Sequence, residues 1–289
     1  MSLLDASGLN EEQFLQQYNP GDFPRPSVAA DIVIFTIADV EGDNFRKLPG
    51  KELRVLLVRR GGHPYIGQWA LPGGFMRPGE TVGEAANREL VEETGVNGGY
   101  LEQLYTFSAP GRDPRAWIIS CAHMALIDSG QINVHAGSDA ADAQWFVVKT
   151  ENAGGYIELS LSGKDASLHA TAALQNGDTD IQITKNVGLA FDHAKIILYA
   201  VNRLRAKLEY TDLVFRLVPE RFTLTALQLV FEAILGRTLY KAAFRRKIVD
   251  LVQETECYTS DKGHRPAKIY VKKMKEEGGQ NERTNTGEF

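Results

Sequence analysis

The sequence is poor in cysteine and has no long apolar run. Its 289 residues include two cysteines, Cys121 and Cys257, which lie far apart without metal-ligand spacing, so no disulfide framework or cysteine metal site is predicted. No apolar stretch approaches the roughly 18 residues that a membrane-spanning helix needs. The first residues also lack a basic start followed by an apolar core. We therefore expect a cytoplasmic protein that is neither exported nor inserted into a membrane.

A positive net charge is also missing, but charge is unevenly distributed along the chain. The formal net charge is -5, yet residues 211–275 carry 13 Lys and Arg against 7 Asp and Glu, a net of +6. The remainder carries 19 against 30, a net of -11. A basic module on an acidic body is what local contact with nucleic-acid phosphates requires. A solvated basic surface is the alternative, and charge alone does not decide between them.

The length and the 43% hydrophobic content indicate about two globular domains. In the first domain, apolar β-branched runs and alternating segments predict strands on both sides of one helix at 81–93. The predicted strands are 28–37, 53–60, 104–108, 116–126 and 144–148. Strands interrupted by a helix predict a mixed α/β sandwich.

The rest of the chain divides by composition and periodicity. We assign residues 1–188 to the first domain, with a β-rich insertion at 151–187 that contains the turn-forming pair Asn176-Gly177. Apolar residues at spacings of 4, 3 and 4 along 191–209 predict a helix, so 189–210 is the expected connecting helix. Residues 211–275 form the second domain, and the polar tail at 276–289 is predicted to be disordered.

Residues 74–96 contain a fixed pattern of glycines and charged residues. In order, it is Gly74, five residues, Glu80, seven residues, Arg88-Glu89-Leu90, one residue, Glu92-Glu93, one residue and Gly95-Val96. Glu89, Glu92 and Glu93 stand at i, i+3 and i+4, so they project from one helix face. Carboxylates this close repel one another unless Arg88 or a cation compensates them, and hard divalent cations prefer such oxygens.

This segment resembles the box of the Nudix hydrolase family. The resemblance implies that Glu89, Glu92 and Glu93 bind Mg²⁺ or Mn²⁺ and are the catalytic candidates, one of them also serving as general base for an attacking water. Gly74 is predicted to belong to the metal site because a glycine lets the backbone approach the ion.

Three arginines are the predicted ligand-binding residues. Arg88 lies in the box, where it would also brace loop and helix together with Glu80. Arg112 and Arg115 lie in the segment 110–115, which looks like one found in Nudix proteins that handle ADP-ribose. Two arginines on one loop can clamp a diphosphate. A solvated turn is the alternative reading of this segment.

Residues 223–251 have the pattern of a helix-turn-helix. An apolar stripe runs from Leu224 to Leu235, with Thr223 as the predicted N-cap and Gly236 as the end of the helix. A second helix begins near Leu239, after a short turn. A two-stranded wing is predicted between 254 and 271.

The second helix and the wing supply the predicted DNA contacts, since arginines on an exposed helix reach guanine edges or phosphates. These residues are Lys241, Ala242, Arg245, Arg246, Lys247, His264, Arg265 and Lys268. A winged helix also serves as a protein–protein module, but the positive charge of 211–275 favours DNA.

The chain as a whole resembles the Nudix-related transcriptional regulators (NrtR). The resemblance rests on YNPGDFPRPSV at 18–28, LAFDH at 189–193, RLRAKLEY at 203–210 and the segment 215–247. It implies a homodimer that senses ADP-ribose or a related nucleotide in the Nudix domain, binds double-stranded operator DNA and controls genes of NAD metabolism.

Two functions follow as hypotheses. The first is an ADP-ribose-sensing regulator, usually a repressor. The second is a metal-dependent ADP-ribose pyrophosphatase whose winged helix serves dimerisation, and a bifunctional protein lies between them. The basic recognition face favours the first, whereas the intact box, which is often degraded in such regulators, favours the second.

Overall fold

The computed structural model describes residues 3–40, 49–97, 99–128, 140–175, 180–259 and 266–273. The predicted turn at Asn176-Gly177, the wing residues His264 and Arg265, and the predicted tail at 276–289 lie outside the described residues. Within the described ranges, no helix is long and apolar enough to cross a membrane.

A mixed sheet forms the first part of the molecule. Its strands are β1 (Ser27–Asp39), β2 (Lys51–Arg60), β3 (Trp69–Ala70), β4 (Gly73–Phe75), β5 (Tyr100–Phe107), β6 (Ile118–Leu126) and β7 (Ala140–Ala153). The central strand β1 is parallel to β6 and antiparallel to β2 and β4. The predicted strands are confirmed, and the short strands β3 and β4, which flank the loop before the box, were missed.

The two faces of this sheet bury alternate residues of β1. Ile32 and Ile34 pack with α2 (Val82–Thr94) on one face, whereas Val33 and Phe35 belong to the larger core on the other. All four side chains are fully buried. Because successive side chains of a strand point to opposite faces, one apolar run supplies two cores. The mixed α/β sandwich is therefore confirmed.

Three further strands continue the sheet outward from β7. These are β8 (Tyr156–Ser162), β9 (Ser167–Gln175) and β10 (Asp180–Val187), each antiparallel to the strand before it. The order of the long strands is β10-β9-β8-β7-β2-β1-β6-β5. The segment predicted as a β-rich insertion is thus β-structured in its described residues and extends the main sheet.

Helix α3 (His193–Tyr210) follows β10 and packs against the main sheet and the C-terminal module. Its predicted apolar stripe, which includes Ile197, Val201 and Leu204, is buried. The helix starts at His193, later than the predicted periodic segment at 191–209 and the predicted connecting helix at 189–210, because Phe191 has a φ of 51°, outside the helical region.

The C-terminal module contains two helices and a small sheet. Its elements are a 3₁₀ helix (Leu213–Leu217), β11 (Arg221–Phe222), α4 (Leu224–Leu235), α5 (Lys241–Ile248), β12 (Val252–Tyr258) and β13 (Lys268–Lys272). Thr223 caps α4 by accepting a hydrogen bond from Ala226 N–H at 3.1 Å, and Gly236 ends it at a φ of 69°. The strand order β11-β13-β12 completes a winged helix. A short exposed helix α1 (Glu11–Gln17) precedes the main sheet.

Candidate functional site

Local sequence fixes both ends of the helix that carries the box carboxylates. The Thr81 hydroxyl accepts a hydrogen bond from Glu84 N–H at 3.2 Å, and the Glu84 carboxylate accepts one from Thr81 N–H at 2.7 Å. Gly95 ends α2 in the left-handed region, with a φ of 69°. The helix between these caps holds three carboxylates on one face.

Glu89, Glu92 and Glu93 line the same cleft. Glu89 and Glu93 are each 9% exposed, whereas the Glu92 side chain is 48% exposed. Arg88 Nη1 lies 2.5 Å from Glu89 Oε1 and 3.7 Å from Glu92 Oε2. Arg88 therefore offsets the negative charge of Glu89 directly and that of Glu92 at longer range.

The donor set suits a hard divalent cation in kind, since carboxylate oxygens are the ligands that Mg²⁺ and Mn²⁺ accept. Gly74 lies against this set, and a Cβ there would overlap the Glu89 carboxylate in its present position, so a larger residue would force that carboxylate to move. Across the described ranges, however, no three His, Cys, Asp or Glu side chains are gathered to hold an ion. Arg88 occupies one carboxylate oxygen of Glu89, Oε1, which leaves Oε2 as the oxygen of Glu89 that a cation would take.

Arg88 also braces the loop that precedes α2. Its Nη2 donates hydrogen bonds to Glu80 Oε1 at 2.9 Å and to the Phe75 carbonyl at 3.3 Å. The hydrogen bonds from Arg88, followed by the one from Arg77 N–H, lower the pKa of Glu80 below its ordinary value. The bracing function of Arg88 is thus visible, whereas its contact with a ligand stays a prediction.

The cleft has a volume of about 1350 Å³ and contains groups of both charges. The box carboxylates line it together with Arg60, Arg112 and Arg115. Carboxylates that can hold a cation, placed in one cleft with guanidinium groups, can surround a diphosphate from different sides.

The two arginines predicted as one clamp have different partners. Arg112 is buried, with its side chain 4% exposed, and its Nε and Nη2 donate to the Asp192 carboxylate at 2.9 and 2.6 Å. Burial lowers the pKa of Arg112, but the bonds to Asp192 outweigh this and raise the pKa above its ordinary value. Arg115 is more exposed and pairs with Asp113 at 2.7 Å. A ligand that takes the Nε and Nη2 donors of Arg112 would displace Asp192 from them.

A cluster around Phe191 was missed from the sequence. The guanidinium carbons of Arg60 and Arg115 lie 4.9 and 5.5 Å from the centroid of the Phe191 ring, and the Tyr65 ring packs on it at 4.7 Å. Phe191 and Tyr65 both have positive φ, 51° and 60°. Such backbone costs about 1–3 kcal/mol per residue and concentrates at functional sites. The LAFDH segment contains Phe191, but its pattern gives no sign of this geometry.

His193 ties the start of α3 to the loop before the box, and it too was missed. Its Nδ1 accepts a hydrogen bond from Leu71 N–H at 2.8 Å, so this nitrogen carries no proton. Burial lowers the pKa of His193, which keeps the ring neutral. Its Nε2 lies 3.9 Å from Asp31 Oδ2, beyond hydrogen-bond distance, and the same oxygen accepts a hydrogen bond from Ser120 Oγ at 2.5 Å.

The predicted recognition helix presents a basic face. Phe244 and Ile248 are buried, at 4% and 1% exposure, which turns the remaining side chains outward. The exposed residues of α5 are Lys241, Ala242, Ala243, Arg245, Arg246 and Lys247. Tyr240, immediately before the helix, is 89% exposed and was not predicted.

The described part of the wing contributes one predicted residue. Lys268 on β13 is half-buried, and its Nζ donates a hydrogen bond to Tyr258 Oη at 3.4 Å, above the face of that ring. His264 and Arg265 lie outside the described residues, so their DNA contacts stay predictions.

The sheet, the capped helix with its box and the basic helix-turn-helix define the class of protein, a Nudix-fold domain joined to a winged helix. Family models agree with this division, because a NUDIX domain matches residues 43–153 and an NrtR DNA-binding winged helix domain matches residues 214–271. The chain belongs to the NrtR family of Nudix-related transcriptional regulators.

Relatives of full length support this membership. The chain is 31% identical over 265 residues to the ADPR responsive transcriptional repressor NtrR of Acinetobacter baylyi, which covers 90% of this chain and 88% of that protein. A MutT/nudix family protein from Enterococcus faecalis is similar in structure, with a TM-score of 0.68, 31% identity and coverage of 92% and 94%. NrtR of Shewanella oneidensis, solved with a 27mer DNA, has a TM-score of 0.58, 29% identity and coverage of 85% and 93%.

Proposed function

We propose that the protein is a transcriptional regulator that senses ADP-ribose, or a related nucleoside diphosphate derivative, and represses genes of NAD metabolism. One observation carries the proposal: a single chain joins a cleft of carboxylates and arginines to an exposed basic helix. The repressor of Acinetobacter baylyi is named as ADPR responsive, and the NrtR of Shewanella oneidensis was solved with DNA. Both support this assignment.

The proposed regulator acts in the cytoplasm as a homodimer on operator DNA. Two winged helices related by a twofold axis would contact half-sites separated by about one helical turn, or a multiple of it. A gel-shift titration on the region upstream of its own gene tests the proposal. The expected result is a retarded complex that ADP-ribose dissociates, and a complex insensitive to ADP-ribose would contradict it.

The proposed ligand site combines the box with the cluster around Phe191. Burial lowers the pKa of Arg60, and the nearby charge of Arg115 lowers it further. Two guanidinium groups around one ring repel each other, so an anion between them is favourable. Arg60 Nε donates to the Pro64 carbonyl at 2.7 Å, which fixes the orientation of the guanidinium group. We therefore add Arg60 and Phe191 to Arg115 as residues that bind the nucleotide.

The proposed cation is Mg²⁺ or Mn²⁺, held by Glu89, Glu92 and Glu93 with Gly74 providing the close approach of the backbone. When bound, the ion would offset the negative charge of the diphosphate.

Arg60→Ala is expected to weaken ADP-ribose binding by about 10-fold or more. The substitution removes one charge-assisted contact with an anion, which contributes about 1.5–3 kcal/mol. Isothermal titration of ADP-ribose in the presence of Mg²⁺ measures the effect.

Arg54→Ala is the matched control for this change. Arg54 lies on the same strand, pairs with Glu52 and does not line the cleft. The control should bind ADP-ribose like the parent. Equal binding by Arg60→Ala and the parent would remove the cluster around Phe191 from the proposed site.

A second candidate function is a metal-dependent ADP-ribose pyrophosphatase. The observation that favours it is the intact box, whose three carboxylates all line the cleft. In this function Glu89, Glu92 and Glu93 would hold the cation, one of them would take a proton from water, and the winged helix would serve dimerisation. Turnover of ADP-ribose without specific DNA binding would favour this candidate.

A further inference from the structure

Asp192 stands at the N-cap of α3, but its side chain does not cap the helix. An aspartate at this position ordinarily accepts a hydrogen bond from a backbone N–H of the first turn. Among the described residues, no such bond joins the Asp192 side chain to the start of α3. The carboxylate instead accepts both hydrogen bonds from Arg112. A pocket arginine thus holds the natural capping group of this helix.

The segment before α3 is also bonded to the strand next to the cleft. Trp69 N–H donates to the Gly188 carbonyl at 2.9 Å, and Ala190 N–H donates to the Trp69 carbonyl at 2.8 Å. His193 accepts from Leu71 N–H, as described above. The first residues of α3 therefore share their polar contacts with the walls of the cleft.

The far half of α3 is bonded to the DNA-binding module. Arg205 Nε donates to the Ile234 carbonyl at 2.8 Å, in the last turn of α4. Gly236, which ends that helix, leaves room for the Arg205 guanidinium, since a Cβ there would lie 3.2 Å from Nη2. The next element along the chain is α5. With 18 residues, α3 spans about 27 Å and links the cleft to the turn before the recognition helix.

We propose that Asp192 couples the nucleotide site to the DNA-binding module by exchanging Arg112 for the start of α3. This inference rests on the proposed function. In the DNA-competent state, Arg112 holds Asp192. A diphosphate in the cleft competes with the Asp192 carboxylate for Arg112, because both anions match the shape and charge of the guanidinium group. Released from Arg112, the carboxylate caps α3, and the helix shifts against its neighbours.

The exchange provides two discrete arrangements, which a switch requires. Asp192 has a good partner in each, so neither state leaves a buried carboxylate without a hydrogen bond. Packed helices commonly shift by about 1–2 Å in such transitions. Because Arg205 binds the end of α4, a shift of α3 reaches the turn that positions α5.

Asp192→Asn is the variant that tests the exchange. The amide has the size of the carboxylate and can cap a helix, but it lacks the charge that holds Arg112. It should therefore favour the ligand-bound arrangement. We expect ADP-ribose to bind about 5-fold tighter and operator DNA about 5-fold weaker, each measured without the other ligand. The factor by which ADP-ribose weakens DNA binding should fall by about as much.

The opposite changes expected in the two affinities, tighter for ADP-ribose and weaker for DNA, distinguish coupling from a purely structural role of Asp192. A structural role for Asp192 would weaken ADP-ribose and DNA binding together. Arg112→Lys is the second variant, since an ammonium cannot make the paired contact with Asp192. It should also weaken DNA binding without ligand, while its melting temperature shows whether the protein is folded.

Asp180→Asn is the matched control because it removes a different ion pair between a carboxylate and α3. Asp180 on β10 accepts from Lys195 Nζ at 3.2 Å on the exposed side of α3. It should leave both affinities unchanged. Unchanged affinities in Asp192→Asn, or a loss of both, would overturn the exchange. If ADP-ribose does not change the DNA affinity of the parent protein, the proposed function itself is wrong, and the exchange is wrong with it.

Discussion

Replacing both Arg245 and Arg246 with alanine should weaken operator binding by about 30-fold or more. Each arginine that reads a base edge contributes about 1–3 kcal/mol, and both side chains are exposed on α5. The buried residues Phe244 and Ile248 remain, so the helix keeps its packing. Fluorescence anisotropy with labelled operator DNA at one fixed salt concentration measures the loss.

A charge-matched variant separates recognition from general attraction. Lys149→Ala with Lys185→Ala removes two exposed positive charges from the main sheet, and it should bind operator DNA like the parent. Lys247→Ala should lower the dependence of log K on log salt by about one, as expected for one phosphate contact. Parental affinity in the Arg245 and Arg246 variant would show that α5 is not the recognition helix.

If the parent protein hydrolyses ADP-ribose, Glu93→Gln should lower the rate of hydrolysis by at least about 100-fold. Loss of one carboxylate from the cation site removes several kcal/mol of stabilisation of the developing charge, and each 1.4 kcal/mol is a factor of about 10 in rate. Release of AMP, followed by chromatography with Mg²⁺ or Mn²⁺, measures the rate. The amide keeps the size of the side chain, so operator binding without nucleotide should be unchanged.

Glu158→Gln on β8 is the control for this prediction, because Glu158 lies outside the cleft and bonds Thr171 on the neighbouring strand. It should hydrolyse ADP-ribose at the parental rate. Undiminished turnover by Glu93→Gln would place the activity elsewhere. If the parent itself shows no turnover, the pyrophosphatase candidate is wrong and the cleft serves as a sensor.

Local sequence was enough to predict the box helix and the helix-turn-helix. The contacts that position them are short in range, such as the cap of α2 by Thr81 and Glu84 and the left-handed end of α4 at Gly236. Apolar periodicity then determines which face is buried. The predicted stripe of α3 is buried for this reason, whereas in α4 the stripe residues Leu224 and Leu235 are only partly buried and Val230 and Ile234 join the buried face.

Pairings between distant segments could not be predicted. Arg112 was predicted to clamp a diphosphate with Arg115, because their loop looks like one in Nudix proteins that handle ADP-ribose. Arg112 does line the cleft, but its pairing with Asp192, 80 positions along the chain, was not predicted. Nothing in either segment specifies this partner. In the same way, β8–β10 extend the main sheet because β8 pairs with the far half of β7, which was predicted to end at residue 148.

The backbone conformation of residues at the cleft also could not be predicted from the sequence. A phenylalanine ordinarily indicates extended or helical backbone, so the positive φ of Phe191 has no signal in the sequence. This conformation brings the ring within contact distance of both Arg60 and Arg115, and it ends the extended segment just before α3. The site residues that were not predicted, including His193, are thus those that contact several segments distant in sequence.

Calorimetric titration of ADP-ribose into the free protein and into its operator complex tests the central claim, which is that one site controls the other. Linkage requires that operator DNA weaken ADP-ribose binding by the same factor by which ADP-ribose weakens operator binding. We expect ADP-ribose to bind the complex about 5 to 150-fold more weakly than the free protein. Equal affinities in the two titrations would contradict the claim, because a ligand that does not distinguish the two states cannot regulate DNA binding.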